Sequence, residues 1–230
     1  MQKCLIEFFE QFVLPQRVQL LNKNLQFRTR FITVVLEDLY QQHNASAVIR
    51  TCDSFGIQNL HIIENRNKFQ INKEIAVGSE CWVDIEKYSN NENNTEFALN
   101  HLKEKEYRIV ATSLSQKANK LENFDLNKGK FALVFGTERT GISETVVKMA
   151  DEFIYIPMCG FAESLNISVS VALIVHFLSG KLRESELTWK LSDEEMQDLK
   201  IRWLRNSLKN PDLLQKYFND NSTNDANVFL

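Results

Sequence analysis

Five short runs rich in β-branched and aromatic residues, FITVVLE, NLHII, YRIVATS, KFALVFG and FIYIPM, lie between Phe31 and about Lys181 and alternate with stretches of helical character. This alternation is the strongest constraint on the chain. Parallel strands cannot be joined by tight turns and need a crossover, so strand runs separated by helices predict an α/β domain, a parallel sheet flanked by helices. The chain has 230 residues and 43% hydrophobic content, enough for one sizeable core. One domain with terminal additions is expected.

The additions are helical. Before Gln26, apolar Leu5, Ile6, Phe8, Phe9, Phe12 and Val13 precede a break at Pro15, and Val18, Leu20 and Leu21 follow it. Two short helices fit, either as a hairpin cap or as a partner-binding surface. The first crossover helix is punctuated by Asn44, a candidate cap, by an apolar stripe of Val48, Ile49, Cys52 and Phe55, and by Gly56 at the C′ position. Arg50 lies off that stripe, about 9 Å along the axis from Asn44 at the helical rise. Near the end, Ser192 and Glu195 form a capping box ahead of Met196, Leu199, Trp203 and Leu204, and Pro211 opens a last short helix. The Asn/Asp/Ser-rich tail from Asn219 is expected to be disordered. The expected organisation is therefore a helical extension over 1–30, the sheet domain over 31–184, a second helical extension over 185–218 and a tail over 219–230.

Several function classes are excluded. None of the seven glycines forms a GxG pair, which removes the dinucleotide fingerprint and the glycine loop of ordinary Rossmann-type methyltransferases. GTERTGIS has the glycine spacing of a P-loop, but Ile142 stands where the phosphate-binding lysine must be. Cys4, Cys52, Cys81 and Cys159 are scattered without zinc-site spacing, so reduced thiols and no metal are expected. Acidic Glu7 and Glu10 interrupt the apolar N-terminal stretch, and no run is long enough to span a bilayer, so a cytoplasmic protein is expected. The formal net charge of −3 points away from nucleic acid, although phosphate contacts depend on local clusters rather than on the total.

Three segments carry chemistry: HNASAVIRTCDSFG (His43 to Gly56), LVFGTERTGIS (Leu133 to Ser143) and IPMCGFAESLNISVSVALI (Ile156 to Ile174). In order and spacing they resemble the three motifs of the SpoU, or TrmH, family of RNA ribose methyltransferases, and AVGSECWVDI looks like the family's glycine-and-tryptophan stretch. The resemblance implies a C-terminal deep trefoil knot in the sheet domain, with S-adenosylmethionine bound in it largely by backbone groups. It also implies a homodimer formed around the helix with small Ser168, Ser170 and Ala172, and an RNA substrate. HNASAVIRT and SLNISVSVA stand nearest the tRNA branch, which implies the D-loop guanosine at position eighteen of tRNA. An rRNA methyltransferase of the same family and a non-catalytic RNA-binding dimer module are the alternatives.

By the same resemblance, cofactor-binding positions fall on Thr112, Gly136, Ile156, Met158, Ser164, Leu165 and Asn166, and catalytic ones on Arg50, Asn44 and Glu138. His43 and Arg139 become candidate RNA contacts. Lys181 and Arg183 are all that remains of the basic run that relatives carry there, and Arg17, Lys23, Arg28 and Arg30 are candidate substitutes, as are Lys200, Arg202, Arg205 and Lys209. Each has a plainer reading: Arg50 as a solvated arginine, Glu138 and Arg139 as a charged turn, Asn44, Ser164 and Asn166 as helix caps, His43 as a loop hydrogen-bonder.

A guanidinium stays protonated in proteins and is a poor base. The expected division of labour has Arg50 holding the RNA phosphate and stabilising the developing alkoxide, a phosphate oxygen or water taking the proton, Asn44 orienting Arg50 and Glu138 holding the loop.

Overall fold

The computed structural model describes residues 2–113, 118–137, 140–162 and 164–226. The chain divides into two compact units, Thr29–Trp189 and Met1–Arg28 with Lys190–Leu230.

The larger unit is a seven-stranded, wholly parallel sheet. Helices α1 (Gln2–Glu10) and α2 (Pro15–Leu25) precede it in the chain. Its elements run β1 (Ile32–Glu37), α3 (Gln42–Ser54), β2 (Asn59–Ile63), α4 (Lys73–Ala76), β3 (Asp84–Tyr88), α5 (Asn94–Glu104), β4 (Arg108–Thr112), β5 (Asn119–Lys120), β6 (Phe131–Phe135), α6 (Glu144–Met149), β7 (Glu152–Tyr155) and α7 (Ile167–Arg183). The order across the sheet is β3-β2-β1-β6-β4-β7-β5.

All five runs read from the sequence are strands of this sheet. β3 escaped because DIEKY is an edge strand with only Tyr88 buried, so it has no apolar run to betray it. Side-chain alternation distributes the core to both faces. Ile32, Val34 and Leu36 of β1 and Phe131, Leu133 and Phe135 of β6 meet Val48, Ile49 and Cys52 of α3 and Val171, Ile174 and Val175 of α7. On the opposite face Val35, Ala132 and Val134 meet Leu99 and Leu102 of α5 and Val146 of α6. Helices thus cover both faces, as a parallel sheet requires.

Gly56 stands at the C′ position of α3 with φ of 74°, the left-handed value that favours glycine there. Asn44 is not the cap of this helix. Gln41 occupies that position and makes no side-chain cap bond, which leaves Asn44 on the first turn and 5% exposed.

In the smaller unit, α1 packs on α8 (Asp193–Ser207) and α9 (Pro211–Ala226), and α2 packs on α8. Ile6, Phe9, Leu21 and Leu25 from one end of the chain and Leu199, Trp203 and Leu204 from the other are buried. The two extensions expected from the sequence are thus one unit. The capping box at α8 is present, with both the Ser192 and the Glu195 side chains engaged. Of the tail expected to be disordered from Asn219, the stretch to Ala226 is helical in α9, and residues 227–230 lie outside the described residues. Adding a residue to an existing helix is far easier than nucleating one, so a polar composition does not stop it.

His61 on β2 is 2% exposed, with Nδ1 2.9 Å from the Tyr88 hydroxyl. Burial pushes its pKa from 6.5 down to about 4, against the attraction of Glu86, while Lys105 and His101 add to the lowering. The unfolded chain therefore takes up this proton near pH 6.5 and the fold resists it, so stability is full above that value and is lost as pH falls towards 4. The loss between pH 7 and 5 is on the order of 2 kcal/mol. Thermal melts across this range should show a shallower dependence on pH in His61→Gln than in the wild type, and equal slopes would remove His61 from the account.

Candidate active site

The carboxyl ends of β4, β6 and β7 open into a cavity of about 510 Å³, a size typical of small-molecule sites and the usual place for a ligand in an open α/β sheet. Thr112 and Ser113 line it from β4, Phe135 and Gly136 from β6, and Ile154, Tyr155 and Ile156 from β7. The wall is completed by Thr137, Thr140, Gly141 and Ile142, by Val147 of α6, by Met158, Ser164 and Leu165, and by Ile167, Ser170 and Ile174 of α7. Six of the seven expected cofactor positions, Thr112, Gly136, Ile156, Met158, Ser164 and Leu165, therefore converge on one cavity.

Asn166, the seventh, is not among the lining residues. It is the N-cap of α7, and its Oδ1 accepts from the Ser168 amide at 2.9 Å and the Ser168 hydroxyl at 2.6 Å. Its side-chain amide donates to Oδ1 of Asn44 at 3.2 Å. That bond joins the start of α3 to the rim of the cavity, where Ser164 and Leu165 stand next to Asn166 in the chain.

The cavity's second wall is a tight loop. Thr137 and Gly141 exchange a pair of backbone hydrogen bonds, each 2.9 Å. A side chain at Gly136 would place its Cβ 2.1 Å from the Gly141 carbonyl oxygen, so only glycine permits this approach. Glu138 and Arg139 lie outside the described residues. The loop ends at Ser143, the N-cap of α6, whose amide and hydroxyl both donate to Glu37.

Arg50 and His43 are exposed on α3. Among the described residues Arg50 has no hydrogen-bond or ion-pair partner, and the Asn44 side chain donates to Oε1 of Gln41 at 3.0 Å instead. The expectation that Asn44 orients Arg50 is corrected accordingly: Asn44 ties α3 to α7.

The expected basic contacts divide differently. Arg28 is 4% exposed and its guanidinium sits 4.8 Å over the Trp203 ring, so its place as an RNA contact is corrected. Arg30 donates to Asn59 at 3.0 Å and pairs with Asp84 at 3.3 Å. Lys181 donates to the Phe124 carbonyl at 2.7 Å, and Arg183 to that of Phe55, with burial lowering the Arg183 pKa. All three make hydrogen bonds within the sheet unit, and Lys181 stays exposed. Arg17 is half-buried on α2.

A model of the SpoU rRNA Methylase family matches residues 31–176. The chain belongs to this family. A tRNA (guanosine(18)-2'-O)-methyltransferase of Borreliella burgdorferi is 39% identical over 214 residues, 93% of this chain and 96% of that protein. The crystal structure of the Aquifex aeolicus TrmH/SpoU tRNA modifying enzyme is similar with a TM-score of 0.73 and 33% identity, covering 84% of this chain and 97% of that one. An AdoMet-bound rRNA methyltransferase from Sinorhizobium meliloti shares the fold at 18% identity, with a TM-score of 0.58 over 71% of this chain and 60% of that one.

Glu37, Thr137, Thr140, Ile142 and Ser143 are among the site residues that sequence reasoning missed. A glutamate closing an apolar run reads as the strand's exit to solvent, and only its 3% exposure shows otherwise. Among the described residues no group of three or more His, Cys, Asp or Glu is placed to hold a metal, and no helix is long and apolar enough to cross a membrane.

Proposed function

We propose that this chain transfers a methyl group from S-adenosylmethionine to a ribose 2′-hydroxyl of tRNA, at the D-loop guanosine of position eighteen. The observation that carries the reading is the Asn166–Asn44 hydrogen bond. It couples the helix bearing exposed Arg50 to the rim of a cavity that already gathers six of the cofactor positions. The substrate rests on the Borreliella burgdorferi relative, whose similarity runs through 93% of this chain rather than through the sheet unit alone.

The cavity fits the cofactor by its size and chemistry. Apolar Ile142, Ile156, Met158 and Leu165 would flank the adenine, and Thr112 and Ser164 offer hydroxyls to its polar edges. Bound there, S-adenosylmethionine supplies a methyl group on an already activated sulfonium leaving group. Arg50 holds the adjacent RNA phosphate and stabilises the charge that develops on the ribose oxygen, while a phosphate oxygen or water accepts the proton. A ribose hydroxyl occurs on every nucleotide, so selectivity comes from RNA shape and from an unstacked loop residue.

The same reading includes the deep trefoil knot, a cytoplasmic location and a homodimer. For the dimer, exposed Val169 and Leu173 stand four residues apart on one face of α7. The test offers unmodified tRNA transcripts, a transcript with the position-eighteen guanosine replaced, and rRNA fragments, each with labelled cofactor. Label is expected in the first alone. Label in the replaced transcript, or in rRNA only, overturns the substrate and leaves the methyltransferase standing.

A further inference from the structure

We propose that Glu37 is a positioning residue for the cofactor loop. The inference rests on reading the cavity as the cofactor site. Glu37 is the last residue of β1 and is 3% exposed, and a carboxylate carried that far from water must be met by donors. Three meet it. The Ser143 amide donates to Oε2 at 2.9 Å, and the hydroxyls of Ser143 and Thr95 donate to Oε1 at 2.6 and 2.7 Å. Ser143 is the point at which the 136–143 loop leaves the cavity and enters α6, where its hydroxyl also caps the helix by accepting from Val146. The loop's near end is held by the paired Thr137 and Gly141 bonds and by the close approach that only Gly136 allows. The buried carboxylate holds the far end. Between these two anchors Thr140, Gly141 and Ile142 form a wall of the cavity. Glu37 touches no reacting atom and acts through Ser143.

Thr95 separates positioning from general stability. It bonds the same carboxylate from α5 rather than from the loop, and also accepts from the Asn65 side chain. Calorimetry of the full chain with adenosylhomocysteine is the measurement. Loss of hydrogen bonds to a charged group should raise the dissociation constant about 10-fold or more in Glu37→Ala. Glu37→Gln should show a smaller rise, since its amide oxygen can accept from the Ser143 amide while the hydroxyls turn to accept from its nitrogen. Thr95→Val should stay within about twofold, because both Ser143 bonds remain. Hydrogen exchange over residues 140–147 should quicken in Glu37→Ala and not in Thr95→Val, and the KM for cofactor should rise more than kcat falls. Wild-type affinity in folded Glu37→Ala, or in Glu37→Gln should the alanine variant not fold, overturns the inference, as does equal weakening by Thr95→Val. No heat from the wild type overturns the reading of the cavity, and this inference with it.

Discussion

Arg50→Ala is expected to lower tRNA methylation by about 10²-fold or more while the dissociation constant for adenosylhomocysteine stays within a few-fold of the wild type. Arg50 is exposed on α3 and is not among the residues that line the cavity, while the Asn44–Asn166 bond ties its helix to the rim, so in the proposed reading the guanidinium belongs to the RNA side of the methyl group. An interaction made as the alkoxide develops appears in turnover, whereas one made with the bound cofactor would appear in affinity. Arg50→Lys is expected to restore little, because a compact ammonium cannot reproduce the two parallel bonds a guanidinium makes to phosphate oxygens. Single-turnover rates at saturating cofactor decide the matter. Full activity in either variant removes Arg50 from the mechanism.

The second large effect concerns the helical unit. Residues 29–189 by themselves should bind adenosylhomocysteine with affinity near that of the full chain, since every lining residue of the cavity lies within them. Their affinity for tRNA should fall at least about tenfold, and the salt dependence of what remains should flatten by roughly 0.7–0.9 in log–log slope for each RNA phosphate that is no longer neutralised. The reason lies in where exposed charge is left. Arg30 and Arg183 are partly buried and engaged within the sheet unit, and exposed Lys181 donates to a backbone carbonyl there, while the helical unit adds Lys23, Arg202 and Lys209 to the exposed cations. Exchanging these three for glutamine in the full chain should give the same flattening without any truncation. Unchanged tRNA affinity and salt slope in both proteins would place the RNA surface elsewhere.

The parallel sheet was legible because each of its central strands is buried on both faces, which forces a continuous apolar run such as ITVVLE or FALVF into the sequence. The ends of α3 and α8 were legible for a related reason. Gly56 and the Ser192–Glu195 pair satisfy backbone groups within a turn of themselves, so local sequence suffices. The edge strand β3, the joining of both chain ends into one helical unit, and the burial of Arg28 against Trp203 were not legible. Each depends on partners far away in the chain, and no periodicity records them.

The site divides in the same way. The sequence by itself determined the family, through motifs whose order and spacing match it. The need for glycine at position 136 shows only in the folded chain, where a Cβ would meet the Gly141 carbonyl. Only the tertiary structure decided that Asn44 joins Asn166 across 122 residues, and that Glu37 reaches Ser143 across 106. A hydrogen bond between distant residues is specified by where the backbone carries them. The same asparagine or glutamate would read as a cap or a solvated charge in any chain that did not bring those ends together.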